Sequence, residues 1–275
     1  MNSNTPPLLR DKTAIVTGAS SGIGRAIAES LARAGAHVFL AGRTLAAMED
    51  TRKRIVEDGG KAGVAALDVR DTAALRGFVD SVVQETGRLD IMVNNAGLSY
   101  PASILEGNPE EWRTMLETNV LALLVGCQTA VRAMRACGAA GHVVNISSIA
   151  ALRRDSGVYG ATKHAVNAIS ATLRAELEDD PIRVVNVMPG AIATNFARNF
   201  DPAFLEGFVK MAGLDVEVKK GERLPDEVFE HIQGPLRQML GRPEDVAEAV
   251  LFAVTRPPQV NILDLEVRPA KQLDL

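Results

Sequence analysis

The stretch Thr13-Ala-Ile-Val-Thr-Gly-Ala-Ser-Ser-Gly-Ile-Gly-Arg-Ala-Ile-Ala-Glu-Ser-Leu31 decides the fold. Its first part, Ala14 to Thr17, is an apolar run too short for a helix. From Ile23 to Ala34 apolar residues recur at helical three- and four-residue spacings. Between strand and helix lie Gly18, Ser20, Ser21, Gly22, Ile23 and Gly24, the context a phosphate-cradling turn requires. Gly18 permits the tight turn, Gly22 lets backbone approach a pyrophosphate, and Gly24 lets helix and strand pack closely. The helix start supplies amide donors and a positive partial charge.

The same alternation continues along the chain. Apolar runs at Val38 to Ala41, Gly63 to Leu67, Leu89 to Val93, Val143 to Ile146, Arg183 to Val187 and Ile262 to Val267 predict six further strands. Helical spacing predicts helices over Ile23 to Ala34, Leu45 to Glu57, Thr72 to Thr86, Pro109 to Ala136, Gly157 to Glu178 and Pro243 to Val254. Runs that are apolar throughout are strands covered on both faces, and strand-helix alternation calls for parallel pairing through right-handed crossovers. The expectation is an α/β fold: a single doubly wound parallel sheet of about seven strands, occupying residues 1–275 as one domain. Residues 195–241 break the rhythm. They hold Phe196, Phe200, Phe204, Phe208 and Phe229, five of the chain's eight Phe, and read as a helical insertion covering the sheet or a substrate lid.

Composition narrows the function classes. Thirty Lys+Arg against 34 Asp+Glu give a net charge of −4, with basic residues scattered, so neither nucleic acid nor anionic membrane is an expected partner, and a small molecule is. No run reaches the roughly eighteen apolar residues of a membrane span, and the first twelve residues contain no signal-like apolar core. A cytoplasmic location is the default. Cys127 and Cys137 have no partners at metal-ligand spacing, the four His form no cluster, and no metal site is expected.

Four further motifs carry chemistry. Asn94-Asn95-Ala96-Gly97 follows the fourth strand run, and Pro189-Gly190-Ala-Ile192-Ala-Thr194 follows the sixth. Asn119 interrupts a long apolar helix, where asparagine is a poor helix former and a buried amide needs partners. Tyr159 and Lys163 stand four apart on one helix face, after Ser147-Ser148. A phenol titrating near about 10 is a poor base at neutral pH, but a close ammonium favours phenolate. A neutral serine hydroxyl can hydrogen-bond a substrate oxygen without competing for its proton.

Together, in this order and over nearly the whole chain, these motifs resemble the short-chain dehydrogenase/reductase family. The resemblance implies a Rossmann-type fold, NAD(P)-dependent carbonyl/alcohol interconversion, and homodimers or homotetramers. It implies Tyr159 as acid/base, Lys163 tuning it and holding the nicotinamide ribose, and Asn119 bending its helix and ordering a proton-conducting water. Asn95, Ala96, Gly97, Pro189, Gly190, Ile192 and Thr194 fall on family cofactor positions. Ser148 falls on the family's serine when counted from the preceding strand, whereas the loop to Tyr159 is about two residues short; Ser147 is the other candidate.

Which dinucleotide binds is set at the end of the second strand, where an acidic residue would accept from a ribose 2′-OH. Arg43 stands there and favours NADP(H), although many NADP-using relatives also carry a basic residue at the position of Ser21, so NAD(H) use stays open. Asp68-Val69 match the adenine position, and Asp68 could equally cap the helix beginning near Asp71. Three features bear on substrate: the Phe-rich insertion, Arg153-Arg154-Asp155, which could meet an anion, and Asn261 to Arg268, which resembles the branch holding 3-hydroxy acid, serine-type and clavulanate-type dehydrogenases. A medium-sized ketone, β-keto or 3-hydroxy compound is expected. The alternative is a dinucleotide-binding regulatory or scaffold protein that has lost the reaction; the Ser, Tyr and Lys argue against it.

Overall fold

A computed structural model describes residues 8–257 and 259–271. The reading that the first twelve residues hold no signal-like apolar core falls in part on residues 1–7, which lie outside the described residues. Seven strands, β1 (Thr13–Thr17), β2 (His37–Gly42), β3 (Lys61–Ala66), β4 (Ile91–Asn94), β5 (His142–Ile146), β6 (Arg183–Pro189) and β7 (Asp264–Val267), pair in the order β3-β2-β1-β4-β5-β6-β7. Every pairing is parallel. Boundaries differ from the sequence expectation by a few residues.

Helices α1 (Gly22–Arg33), α2 (Leu45–Glu57) and α9 (Pro243–Val254) cover one face, and α3 (Thr72–Thr86), α5 (Ala122–Ala136) and α6 (Gly157–Glu176) the other. Strand alternation sorts the cores: Ala14 and Val16 join Ile27, Leu31 and Val250 on one side, while Ile15 joins Val79, Leu123 and Val166 on the other. Helix starts obey local chemistry. Asp71 accepts from the Ala73 and Ala74 amides to cap α3, and Asn108 accepts from Glu110 ahead of Pro109 to cap α4 (Pro109–Leu116).

The stretch Pro109 to Ala136 is not one uniform helix. A π turn over Glu117–Leu121 separates α4 from α5, placed where Asn119 turns its amide inward. Among the described residues this is the one helix long and apolar enough to cross a membrane, and 61% of its apolar window is buried within the fold. It is a core helix here.

The insertion contains a 3₁₀ turn (Asn195–Asn199), α7 (Pro202–Met211) and α8 (Asp226–Leu236). Its own small cluster includes Val209, Val228 and Ile232. A bridge between Ile192 and Gly241 draws its two ends together, with the Ala193 amide donating to Gly241 and the Gly241 amide to Ala191. The insertion therefore stands on a closed base beside the carboxyl ends of the strands.

Candidate active site

Strand order reverses between β1 and β4, and a crevice opens outside the carboxyl ends of the strands at that switch point. A cavity of about 700 Å³ runs there from the glycine turn to Tyr159 and the insertion's phenylalanines. Gly18 sits at φ +67°, and a Cβ on Gly24 would lie 2.3 Å from the Gly18 carbonyl oxygen, so both positions need glycine. The turn is stapled to β4: Asn95 Nδ2 donates to the Thr17 carbonyl at 2.8 Å, and the Asn95 and Ala96 amides donate to Thr17 Oγ1 at 3.0 and 3.1 Å. Asn95 thus acts on the turn's shape. The Ser21 side chain does not cap α1, leaving the first amides of that helix facing the crevice.

Gly18, Ser20, Ser21, Gly22, Ile23, Gly24, Arg43, Asp68, Val69, Asn95, Ala96, Gly97, Pro189, Gly190, Ile192 and Thr194 all line this one cavity. Asp68 is not a helix cap: Asp71 holds that place, while Asp68 pairs with Arg70 at 2.7 Å. That hydrogen bond holds the Asp68 carboxyl below its ordinary pKa. Thr194 packs against Gly22, where an added Cβ would come within 3.0 Å, and so roots the insertion on the turn. The glycine turn, the free helix start and the elongated cavity fit a dinucleotide, which these residues would hold across the switch point.

At the chemical end, α6 carries Tyr159 and Lys163 one turn apart, and Ser148 lies just beyond β5. Tyr159 is half-buried and packs with its ring tilted 55° against Phe196 at 5.5 Å between centroids, and it shares the cavity with Ser148, whose Oγ accepts from the Ala150 amide at 3.1 Å. Lys163 is buried, donates to the Ile146 carbonyl at 2.8 Å, and has Nζ 5.8 Å from the Tyr159 ring centre. Burial pushes the Tyr159 phenol up to about 12, against the pull of the Ser148 hydrogen bond, and pushes Lys163 down to about 8. The expected lowering of the phenol is therefore not supplied by the protein alone, since desolvation outweighs it.

The two serines part at this point. Both line the cavity, but Ser147 is buried with its hydroxyl donating to Asn167 Oδ1 at 2.7 Å, whereas the Ser148 hydroxyl, less buried, accepts from the Ala150 amide and exerts a pull on the Tyr159 phenol. Asn119 does not line the cavity. Its amide accepts from the Leu98 N–H at 3.0 Å and donates to the Leu98 carbonyl at 2.9 Å and to Thr162 at 3.0 Å. It locks the loop after β4 onto the helix turn that carries Lys163.

Sequence reading missed two site residues, Arg198 and Arg223, which line the same cavity beside Arg43. Their signal was weak: single arginines in the insertion, far from Arg43 along the chain. Of the insertion's phenylalanines, 196, 200, 204 and 208 line the cavity, the first from the 3₁₀ turn, the second just after it, and the last two one turn apart on α7. Arg153 is ion-paired with Asp155 at 2.9 Å, which answers its charge locally.

The family described as short chain dehydrogenase matches residues 12–203. An uncharacterized oxidoreductase of Staphylococcus aureus is 32% identical over 264 residues, 95% of this chain and 99% of that protein. A metagenomic short-chain oxidoreductase in complex with NADP superposes with a TM-score of 0.74 at 28% identity, covering 95% of this chain and 98% of the other. A 7α-hydroxysteroid dehydrogenase complexed with NADH and 7-oxo glycochenodeoxycholic acid gives a TM-score of 0.78 at 27% identity, over 98% and 97% of the two chains.

Proposed function

This chain belongs to the short-chain dehydrogenase family and is an oxidoreductase, and on that premise we propose that it transfers hydride between NADP(H) and the carbonyl or secondary alcohol of a medium-sized, largely apolar ketone, β-keto or 3-hydroxy compound. The observation that carries the reading is the junction of Tyr159, Ser148 and Lys163 with the glycine turn in one continuous cavity. The nicotinamide, when bound, supplies or accepts the hydride. Tyr159 donates the proton to the carbonyl oxygen in reduction and removes it in oxidation. A phenol raised to about 12 is fully protonated at neutral pH, the form that reduction needs. Ser148 holds the reacting oxygen with a neutral hydroxyl, Lys163 steadies the ribose and the phenol, and Asn119 positions the turn that carries Lys163.

The insertion acts as the substrate lid within a one-domain protein, and Phe196, Phe200, Phe204 and Phe208 give its cavity face an apolar character. Arg43, in no ion pair among the described residues and near an Asp68 already paired with Arg70, supports NADP(H) over NAD(H). A protein fitting a cytoplasmic setting, it uses the exposed Leu116, Leu121 and Leu124 of the long helix for homodimer or homotetramer contacts.

The test is turnover of a panel of ketones, β-keto esters, aldehydes and 3-hydroxy acids with each dinucleotide. NADPH should be the better cofactor, and Arg43→Asp should swing the ratio of kcat/KM values toward NADH by about 2 to 4 kcal/mol. An unchanged ratio overturns the cofactor assignment. Tight dinucleotide binding with no turnover of any substrate would move the protein to the regulatory alternative.

A further inference from the structure

Three guanidinium groups converge on the far end of the cavity without an ion-pair partner among the described residues: Arg43 at the end of β2, and Arg198 and Arg223 from the insertion. Arg223 donates directly to the Ser21 hydroxyl inside the phosphate turn. Burial and then the neighbouring Arg223 and Arg43 push Arg198 below its ordinary pKa, with no carboxylate opposing them. Arg223 is lowered likewise, by burial and then Arg25, and the one carboxylate acting on it, Asp226, is bonded to Arg25. Like charges gathered in a cleft repel unless an anion joins them.

The placement is built rather than accidental. Asn195 clasps Leu224, the residue after Arg223, donating to its carbonyl at 2.9 Å and accepting from its amide at 2.8 Å. The Gly221 amide donates to the Arg198 carbonyl at 2.7 Å, and the Arg198 guanidinium donates to the Asn195 carbonyl at 3.0 Å. The Arg25 to Asp226 ion pair ties the start of α8 to α1. Residues 221–226 are thereby held across the mouth of the glycine turn, and Arg223 has no other hydrogen-bond partner than Ser21 among the described residues.

Resting on the NADP(H) reading above, we propose that Arg223, delivered by the insertion, completes with Arg43 a site for the phosphomonoester on the adenosine ribose, with Arg198 as the third cation. A dianionic phosphomonoester accepts from two forked guanidinium groups at once, which a ribose hydroxyl cannot do. Ser21 cannot supply a charge to this site; the insertion brings one to it from some two hundred residues further along the chain. The insertion would therefore read the cofactor as well as the substrate.

The experiment is calorimetric binding of adenosine 2′,5′-bisphosphate and adenosine 5′-monophosphate, which differ only in the 2′-phosphate. Wild-type protein should bind the bisphosphate more tightly. Arg223→Met should weaken the bisphosphate at least about tenfold and leave the monophosphate unchanged, with Arg223→Lys between the two. Matching thermal unfolding of both variants would show that the fold is intact. The inference is overturned if Arg223→Met leaves bisphosphate binding unchanged, or weakens both ligands equally, which would assign the arginine to the shared 5′ side. Loss of discrimination in Arg43→Asp but not in Arg223→Met would leave the NADP(H) reading standing and remove the insertion from it. Equal binding of the two ligands by the wild type would remove the NADP(H) reading itself.

Discussion

The two ends of the parallel sheet treat charge in opposite ways. At the amino ends of the strands, Asp90 is only 2% exposed, and every direction around it is answered: Lys12 at 3.0 Å, Arg88 at 2.6 and 2.7 Å, and the Thr13 amide at 3.0 Å. At the carboxyl ends, Lys163 is 4% exposed with a single carbonyl as hydrogen-bond partner, and Arg43, Arg198 and Arg223 face a cavity in which no carboxylate among the described residues comes within ion-pair distance of them; the nearby Asp68 is paired with Arg70 instead. A buried charge with a full set of partners contributes stability and nothing else. A buried or crowded charge without them is an unfilled demand, and a ligand or a proton is what fills it. Substitutions at one end should therefore move stability, and at the other chemistry.

The largest expected effect is at the carboxyl end. Tyr159→Phe removes one oxygen from a ring that keeps its tilted contact with Phe196. Unfolding temperature and nucleotide affinity should stay at wild-type values while kcat falls about a thousandfold. Retention of more than about a tenth of kcat, where chemistry limits, would mean that another group carries the proton.

The mirror experiment is Asp90→Ala, which strands Lys12 and Arg88 and should cost about 3 kcal/mol of stability with kcat per folded molecule unchanged. Its sign with pH can be worked out. Burial pushes the Asp90 carboxyl up, but the hydrogen bonds from Arg88, Thr13 and Lys12 outweigh it and hold the group below its ordinary 3.8. A depressed carboxyl contributes fully above its unfolded value and loses that contribution as pH falls through the folded one. The stability gap between wild type and variant should thus be full at neutral pH and narrow below about pH 4, as followed by chemical denaturation at each pH. A fall in kcat instead would break the division between the two ends.

The sheet was legible in the sequence because burial on both faces leaves continuous apolar runs, and the turn after β1 because its glycines answer local demands. Asn119 was legible as an anomaly, a poor helix former inside an apolar helix, and it sits in the π turn. What local patterns could not reveal was register. Asn94, Asn145, Asn186 and Asp264 lie in successive paired positions of β4 to β7, with Asn94 bonded to Asn145 at 2.9 Å and Asn186 to Asp264 at 2.9 Å. A polar residue inside or at the edge of each apolar run was the available sign. The arginines from the insertion gave less, because a charged residue between predicted elements reads as solvated until the base at Ile192 and Gly241 brings it over the turn.

The boundary between the two regimes falls between adjacent residues, and the smallest effects test it. Ser147 and Ser148 follow β5 with side chains pointing to opposite sides, as successive residues of extended backbone must. Ser147 is 3% exposed and bonds Asn167, which also accepts from Asn186, so it belongs to the buried polar network under the site. Ser148 is less buried, lines the cavity with Tyr159, and caps the 3₁₀ turn that follows by accepting from the Ala150 amide. Ser148→Ala should lower kcat/KM by about 2 to 3 kcal/mol, the worth of a hydrogen bond to the reacting oxygen, and stability by about 1 kcal/mol for the lost cap. Ser147→Ala should lower stability by about 1 to 2 kcal/mol, since Asn167 loses a buried donor, and leave kcat/KM within a few fold. Parallel denaturation and steady-state kinetics on the two variants separate these outcomes. If Ser147→Ala were the inactive protein and Ser148→Ala turned over normally, the short loop before Tyr159 would have drawn the reacting oxygen one residue deeper, and the line between structural and chemical polarity would lie inside the core rather than at its surface.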